Sequence, residues 1–266
     1  MIKKKEVPEM KRILSLLLVL VCFTTLLAGC GVTKTDGTTA AATTVGATTA
    51  AETTVAATTV AAADPAAVYV TIADKSGAAV LKYAEITVTD LDADGKLTIF
   101  EALKAAHSTC PNGGADGFVA EDGQWGLSMV KLWGEENGGS FGYYVNEASA
   151  WSLTDEVHAG DRLVAFSYTD LATYGDRLAY FTPITATKAA NETVTLTLTA
   201  LIPDESFNYI PTPVAGAKIF VNGADSGLVT DAEGKVTLTL TAGVNEITAT
   251  SETVILVPPF AFVTVE

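Results

Sequence analysis

Glu85–His107 reads EITVTDLDADGKLTIFEALKAAH, and the spacing of its apolar side chains changes partway along. Glu85-Ile86-Thr87-Val88-Thr89 alternates polar and apolar residues, which predicts a strand with one buried face. Ile99, Ala102, Leu103 and Ala106 recur at helical spacing, which predicts a helix to about His107, stopped by Pro111-Asn112-Gly113-Gly114. Between them lie the twelve residues Asp90–Glu101, DLDADGKLTIFE. Asp90, Asp92 and Asp94 offer side-chain oxygens at alternating positions, Gly95 permits a sharp turn, and Lys96 offers its backbone carbonyl. Thr98 stands where a ligand often acts through water, and Glu101 can close the shell with both carboxylate oxygens. Carboxylates this close together repel one another unless a cation sits among them. The pattern therefore predicts a bound Ca2+ bridging a strand to a helix.

A standard EF-hand has a helix on both sides of such a loop and usually a second copy beside it. Neither is legible here, so the ion is expected to be structural rather than a switch that opens paired helices. Working outward, Val68-Tyr69-Val70-Thr71-Ile72 alternates with period two and predicts an earlier strand. Ser140–Asn146 reads as a strand ending in a turn, Ala159-Gly160-Asp161 as another turn, and Arg162–Tyr168 as the next strand. The order strand, strand, helix, then GYYVN and AGDRLVAF resembles the transcobalamin C-terminal-like family, small β-grasp-type modules of bacterial surface proteins. The resemblance spans about Val68 to Tyr168. It departs from simpler members by a calcium loop inserted before the helix and a long segment after it. It implies a β-grasp-like α+β fold, with a corrinoid among the ligands to consider.

Beyond about Tyr174–Asp176 the sequence becomes rich in Thr and Val. Asn191–Leu201, Ala217–Val221, Lys235–Thr241, Glu246–Thr250 and Ala261–Glu266 read as short strands at the spacing of a β-sandwich. PVAGAKIFVNG…GLVTDAEGKVTLTLTAGVNEITAT resembles bacterial immunoglobulin-like and carboxypeptidase-regulatory-like domains, which implies an all-β sandwich with TDAEGKV as a hairpin.

Lys3, Lys4, Lys5, Lys11 and Arg12 precede an apolar run from Ile13 to Leu27, the form of an export signal. Leu27-Ala28-Gly29-Cys30 resembles the lipobox of bacterial lipoproteins, which implies cleavage before Cys30 and its lipidation, and two acyl chains suffice for stable anchoring. Loss of residues 1–29 would move the formal charge from −15 to −18, because five basic and two acidic side chains leave with them. So acidic a surface excludes nucleic acid as a partner class. Val32 to about Ala63 is nearly all Thr and Ala without apolar periodicity, which predicts a disordered tether. It would reach on the order of 100 Å when extended and roughly 30 Å as a coil. With Cys30 lipidated and Cys22 cleaved away, Cys110 alone remains, so cores and metal rather than a disulfide must stabilise the mature chain. The expected domains are a lipoprotein signal peptide at 1–29, a lipidated cysteine and linker at 30–66, a calcium-loop β-grasp-like domain at 67–174 and an Ig-like sandwich at 175–266.

The sequence carries no nucleophile elbow, P-loop, dinucleotide fingerprint or HExxH. Asp155 and Glu156 stand near His158, but neighbours on an extended chain point to opposite faces and do not converge. The chain is accordingly read as a non-enzyme. Trp125, Trp133, Tyr143, Tyr144 and Trp151 fall in a glycine-rich stretch and would form a ligand platform if exposed together, or core if buried. The leading expectation is a calcium-binding lipoprotein on the extracellular face of a Gram-positive-type membrane, capturing a small-molecule, glycan or protein ligand or serving in adhesion. The alternatives are a structural spacer or cell-wall interaction protein and, further off, a corrinoid or cofactor scavenger.

Overall fold

The structure, a computed structural model, is described for residues 60–110, 113–124 and 126–266. The export signal, Cys30, the tether up to residue 59 and Trp125 lie outside the described residues. The protein is mostly β, and α1 is the single α-helix among the described residues.

The first module contains β1 (Ala66–Ala73), β2 (Ala79–Val88), α1 (Ile99–Thr109), β3 (Val119–Gly123), β4 (Gly126–Lys131), β5 (Phe141–Val145), β6 (Ala148–Ser149) and β7 (Arg162–Ser167). Five of the strands form one sheet in the order β2-β1-β7-β5-β6, with β1 and β7 parallel at its centre and the other pairs antiparallel. β3 and β4 pair separately as a hairpin. Alternation along the strands sends Val68, Val70, Ile72, Ile86, Val88, Leu163 and Ala165 to one face, where they pack with Ile99, Leu103 and Ala106 of the helix. Each such large aliphatic side chain contributes about 1.5–3 kcal/mol by leaving water.

The helix begins with a capping box. Thr98 accepts from the Glu101 backbone N–H, and the Glu101 carboxylate reaches back to the Thr98 N–H, so two otherwise unpaired donors are satisfied. The opposite face of the sheet is also covered. Ala73, Tyr144 and Phe166 form a second apolar cluster with Leu178, Leu201 and Val257 of the following module. Gly142 is required there: a Cβ at this position would lie 2.6 Å from Cε1 of the Phe166 ring and nearer still to Cζ. The glycine of the GYYVN motif is thus a packing feature.

The second module contains β8 (Asp176–Thr182), β9 (Thr185–Lys188), β10 (Thr193–Pro203), β11 (Tyr209–Pro213), β12 (Lys218–Val221), β13 (Ala224–Val229), β14 (Lys235–Thr239), β15 (Gly243–Thr250), β16 (Ile255–Val257) and β17 (Phe260–Val265). One sheet has β10 at its centre, with β8 on one side, β11 and β14 on the other, and β16 beyond β8. The second sheet runs β13-β12-β15-β17-β9. Phe181, Leu196, Leu198, Ile219, Ile247 and Val263 meet between the sheets, so the module is an all-β sandwich. TDAEGKV differs from its expected role. Asp231 and Gly234 do make a tight turn, but β13 pairs with β12 and β14 with β10, so the turn joins strands of opposite sheets.

Candidate functional site

The loop after β2 folds around Asp90. One carboxylate oxygen each from Asp90, Asp92 and Asp94 lie within 4.8 Å of one another. Asp90 Oδ2 accepts from the Gly95 N–H at 2.9 Å, Asp92 Oδ1 from Asp94 N–H at 3.3 Å, and Asp94 Oδ1 from Lys96 N–H at 2.9 Å. These bonds wind the chain tightly, and Gly95 takes φ 87°, a left-handed conformation that suits glycine. The N–H of Ala63, near the end of the expected tether, also donates to Asp90 Oδ2 at 2.9 Å. That bond first, and the N–H groups of the loop after it, hold the Asp90 carboxyl below the usual carboxylate range.

The other oxygen, Asp90 Oδ1, is buried without a hydrogen-bond partner. A buried carboxylate oxygen left over by all nearby donors is unusual and calls for a counter-charge. Glu101 stands apart from the aspartate group. Its Oε1 accepts from the Leu91 N–H at 2.6 Å and its Oε2 from the Thr98 N–H at 2.9 Å, which leaves this side chain only 4% exposed. Thr98 is bound into the same capping box, and the Lys96 ammonium pairs with Glu156 at 2.6 Å. Three of the six residues expected to hold the ion thus converge on one point. Glu101 closes the loop onto the helix through backbone donors.

The aromatic residues do not share one surface. Tyr143 and Tyr144 point to opposite faces of β5, as adjacent strand residues must, and Tyr144 is buried against Phe166 in the cluster joining the modules. Trp133 packs on His107, with ring centroids 5.1 Å apart. Trp151 projects alone at 92% exposed, while Tyr143 is half-buried beside it. A flat platform built from Trp133, Tyr143, Tyr144 and Trp151 is therefore corrected by the pleat of the sheet and the packing of Trp133.

His107 is fully buried, and both ring nitrogens are engaged: Nδ1 with the Leu103 carbonyl at 2.7 Å and Nε2 with the Trp133 N–H at 3.0 Å. It ties the helix to the segment before β5 and has no nitrogen free for a metal. Asp155 accepts from the Trp151 and Ser152 N–H groups, and Glu156 pairs with Lys96, so these adjacent acids serve separate local contacts. Sequence reasoning missed the Ala63 contact, which has no local signal. The capping box is legible as Thr98-x-x-Glu101, the same two residues that the calcium pattern claims.

No protein-family model matches the chain, and no curated protein matches it. Among solved structures, the fibronectin(III)-like modules of Clostridium thermocellum CbhA are similar at 16% identity, covering 33% of this chain and 95% of that one, with a TM-score of 0.24. The N-terminal four Ig domains of Dscam1 isoform 6.9 align at 11% identity over 55% of this chain and 32% of that one, with a TM-score of 0.23. SGBP-B of a Bacteroides ovatus mixed-linkage glucan utilization locus, in complex with a heptasaccharide, aligns at 13% identity over 56% and 36%, with a TM-score of 0.21. Likenesses at these scores carry no functional argument, and the sandwich rests on its own strand pairing.

Proposed function

We propose that this chain is a non-catalytic, calcium-binding surface protein that captures a ligand or adheres, held to the outer face of a bacterial membrane through a lipid on Cys30. The observation that carries the calcium reading is the Asp90 group. Three carboxylates converge, and one of their oxygens is buried with no donor to satisfy it. Asp90, Asp92 and Asp94 would hold the ion, joined by the Lys96 carbonyl, by Thr98 through water, and by Glu101 once it gives up its backbone donors. The ion supplies charge neutralisation there and no chemistry of reaction. The strand order and single covering helix of the first module support a β-grasp-like reading, and the two-sheet second module supports an Ig-like one. The Leu27-Ala28-Gly29-Cys30 motif supports the anchor.

The alternative, a structural spacer, draws support from the burial of Tyr144 and the packing of Trp133, which remove two of the expected contact aromatics. Thermal melting tests the calcium reading. Extracellular calcium modules often bind with Kd about 10⁻⁴–10⁻³ M. Calcium at about a hundredfold above Kd adds roughly 2.7 kcal/mol to the folded state. The mature chain with Cys30→Ser should melt higher in calcium than in chelator, and Asp90→Ala should abolish the difference. Equal melting of the parent protein in both conditions refutes the reading.

A further inference from the structure

A second cluster of polar and aromatic groups, which shares no residue with the calcium loop, lies where the face of the first sheet turned away from the helix meets the sandwich. Tyr69, Tyr83, Glu147, Arg162, Tyr180 and Phe260 line a cleft there. Its floor has about 40 Å³ of space, enough for two or three waters. It widens past Thr182, Pro183 and Ile184 into a mouth of about 350 Å³ that shares Tyr83, Glu147, Arg162 and Tyr180. A ligand would therefore rest in the mouth and send only an edge to the floor.

The backbone is bent to build this cleft. β1 alternation turns Tyr69 and Thr71 away from the helix. In β2 the register slips opposite Val70 and Ile72, and Tyr83 sits at φ 46°, a left-handed conformation that an aromatic residue rarely adopts. The Tyr83 N–H is recovered by Thr71 Oγ1 at 3.1 Å, and its ring stacks on Tyr69 with centroids 4.7 Å apart and planes 7° apart. At the turn between β5 and β6, Asn146 and Glu147 are also left-handed, at φ 48° and 65°, with glutamate where such turns favour glycine. That turn brings the Glu147 carboxylate onto the Arg162 guanidinium. Arg162 stands beside Tyr69 in the strand register, and its Nε is buried without a hydrogen-bond partner. Strain at non-glycine residues persists where the surrounding structure enforces it, and it gathers at ligand clamps.

We propose that this cleft binds one neutral sugar ring of a glycan. The proposal gives the ligand-capture reading its site and rests on that reading. The charges in the cleft decide the ligand class. Arg162 is already matched by Glu147, so neither an anion nor a cation finds an unpaired opposite charge. The chain's net charge of −15 further disfavours anions. Burial raises the phenol pKa values of Tyr83 and Tyr180, so both hydroxyls stay neutral and can donate or accept. A sugar ring has an apolar C–H face for an aromatic surface and a hydroxyl edge for the planar groups of an Arg–Glu pair. In the mouth the Arg162–Glu147 pair can meet the hydroxyl edge, and Tyr180, Pro183 and Ile184 can meet the C–H face, while the Tyr83 ring stacks on both Tyr69 and Phe262.

The test is amide NMR of the mature chain with Cys30→Ser, in calcium. The probes are neutral hexamers of glucose, mannose, xylose and N-acetylglucosamine, each at about 5 mM, a level that reports a Kd near 1 mM. A galacturonate hexamer serves as the anionic control. The proposal expects at least one neutral hexamer to shift the amides of Tyr83, Glu147, Arg162 and Tyr180, with galacturonate inactive. Tyr180→Phe, which keeps the ring and loses one hydroxyl, should weaken that binding about threefold to tenfold. Shifts at Trp133, Tyr143 and Trp151 that spare Tyr83, Glu147, Arg162 and Tyr180 would overturn the cleft while leaving ligand capture standing. An equal response to galacturonate would overturn the neutral-ligand assignment. No shift with any sugar would overturn the cleft as a glycan site, whereas loop-amide shifts on adding calcium to a chelated sample report on the metal separately.

Discussion

Replacing Gly142 with alanine should destabilise the protein by about 2 kcal/mol, although propensity alone favours the change. Gly142 lies opposite Phe166 in the β5–β7 pair, and the ring lies across it. The new Cβ would be 2.6 Å from ring Cε1 and 3.0 Å from Cε2. Carbon atoms pack best at about 3.5–4.0 Å, so the ring must retreat by roughly 1 Å. It has nowhere to go: Phe166 is 1% exposed and sits against Tyr144, Tyr168, Leu178, Leu201 and Val257. Overpacking of this kind costs about 1–3 kcal/mol. Alanine would recover about 0.4–1 kcal/mol through the unfolded chain, so the value above assumes a clash near the upper end. For a folded body of this size the net loss lowers Tm by about 4–8 °C. Urea melts of Gly142→Ala, Phe166→Leu and the double variant are the assay. Because leucine vacates ring volume, the double variant should be more stable than additivity predicts by about 1 kcal/mol or more. A Gly142→Ala protein as stable as the parent, or strict additivity, would refute the packing argument.

Three further outcomes are expected. Burial lowers the pKa of His107, so the folded state resists a proton that the unfolded chain takes up below about pH 6.5. Stability should thus be flat above that pH and fall as pH drops below it, and His107→Gln should reduce the slope in urea midpoints measured from about pH 7.5 to 5. Thr98→Ala removes the N-cap oxygen of α1 and should cost about 1 kcal/mol in chelator, where no metal contributes, as read from the same urea melts. Lys82 pairs with Glu246 across the modules at 2.8 Å, but its side chain is 45% exposed, so Lys82→Ala should cost under about 1 kcal/mol and the effect should shrink in high salt.

Much of the first module was legible because its signals are local. The Val68–Ile72 alternation falls within β1, the Glu85–Thr89 alternation covers the end of β2 and runs one residue past it, and the Ile99–Ala106 periodicity is the buried face of α1. In the sandwich, Thr193–Pro203 alternates so strictly that its strand is plain, whereas β8, β9, β11, β13 and β16 have no predicted counterpart. β9 and β16 have only four and three residues, too few for a periodic signal. The TDAEGKV turn looks the same from sequence whether its strands pair together or part to opposite sheets, which only tertiary pairing decides. At the loop, the carboxylate spacing announced Asp90, Asp92 and Asp94, and the structure brings these together. The choice between an aromatic platform and core turns on the pleat, since adjacent strand residues such as Tyr143 and Tyr144 face opposite ways. The cleft had no such signal. Tyr69, Tyr83, Glu147, Arg162 and Tyr180 come from separate strands and a turn, and only the meeting of the modules assembles them.

Calorimetric titration of calcium into the metal-free mature chain, beside Asp90→Ala, reads the occupancy of the Asp90 group itself. One site per chain with Kd no weaker than about 10⁻³ M is expected in the parent protein, and no saturable binding in the variant. No saturable heat in the parent, or an unchanged isotherm in Asp90→Ala, would contradict it.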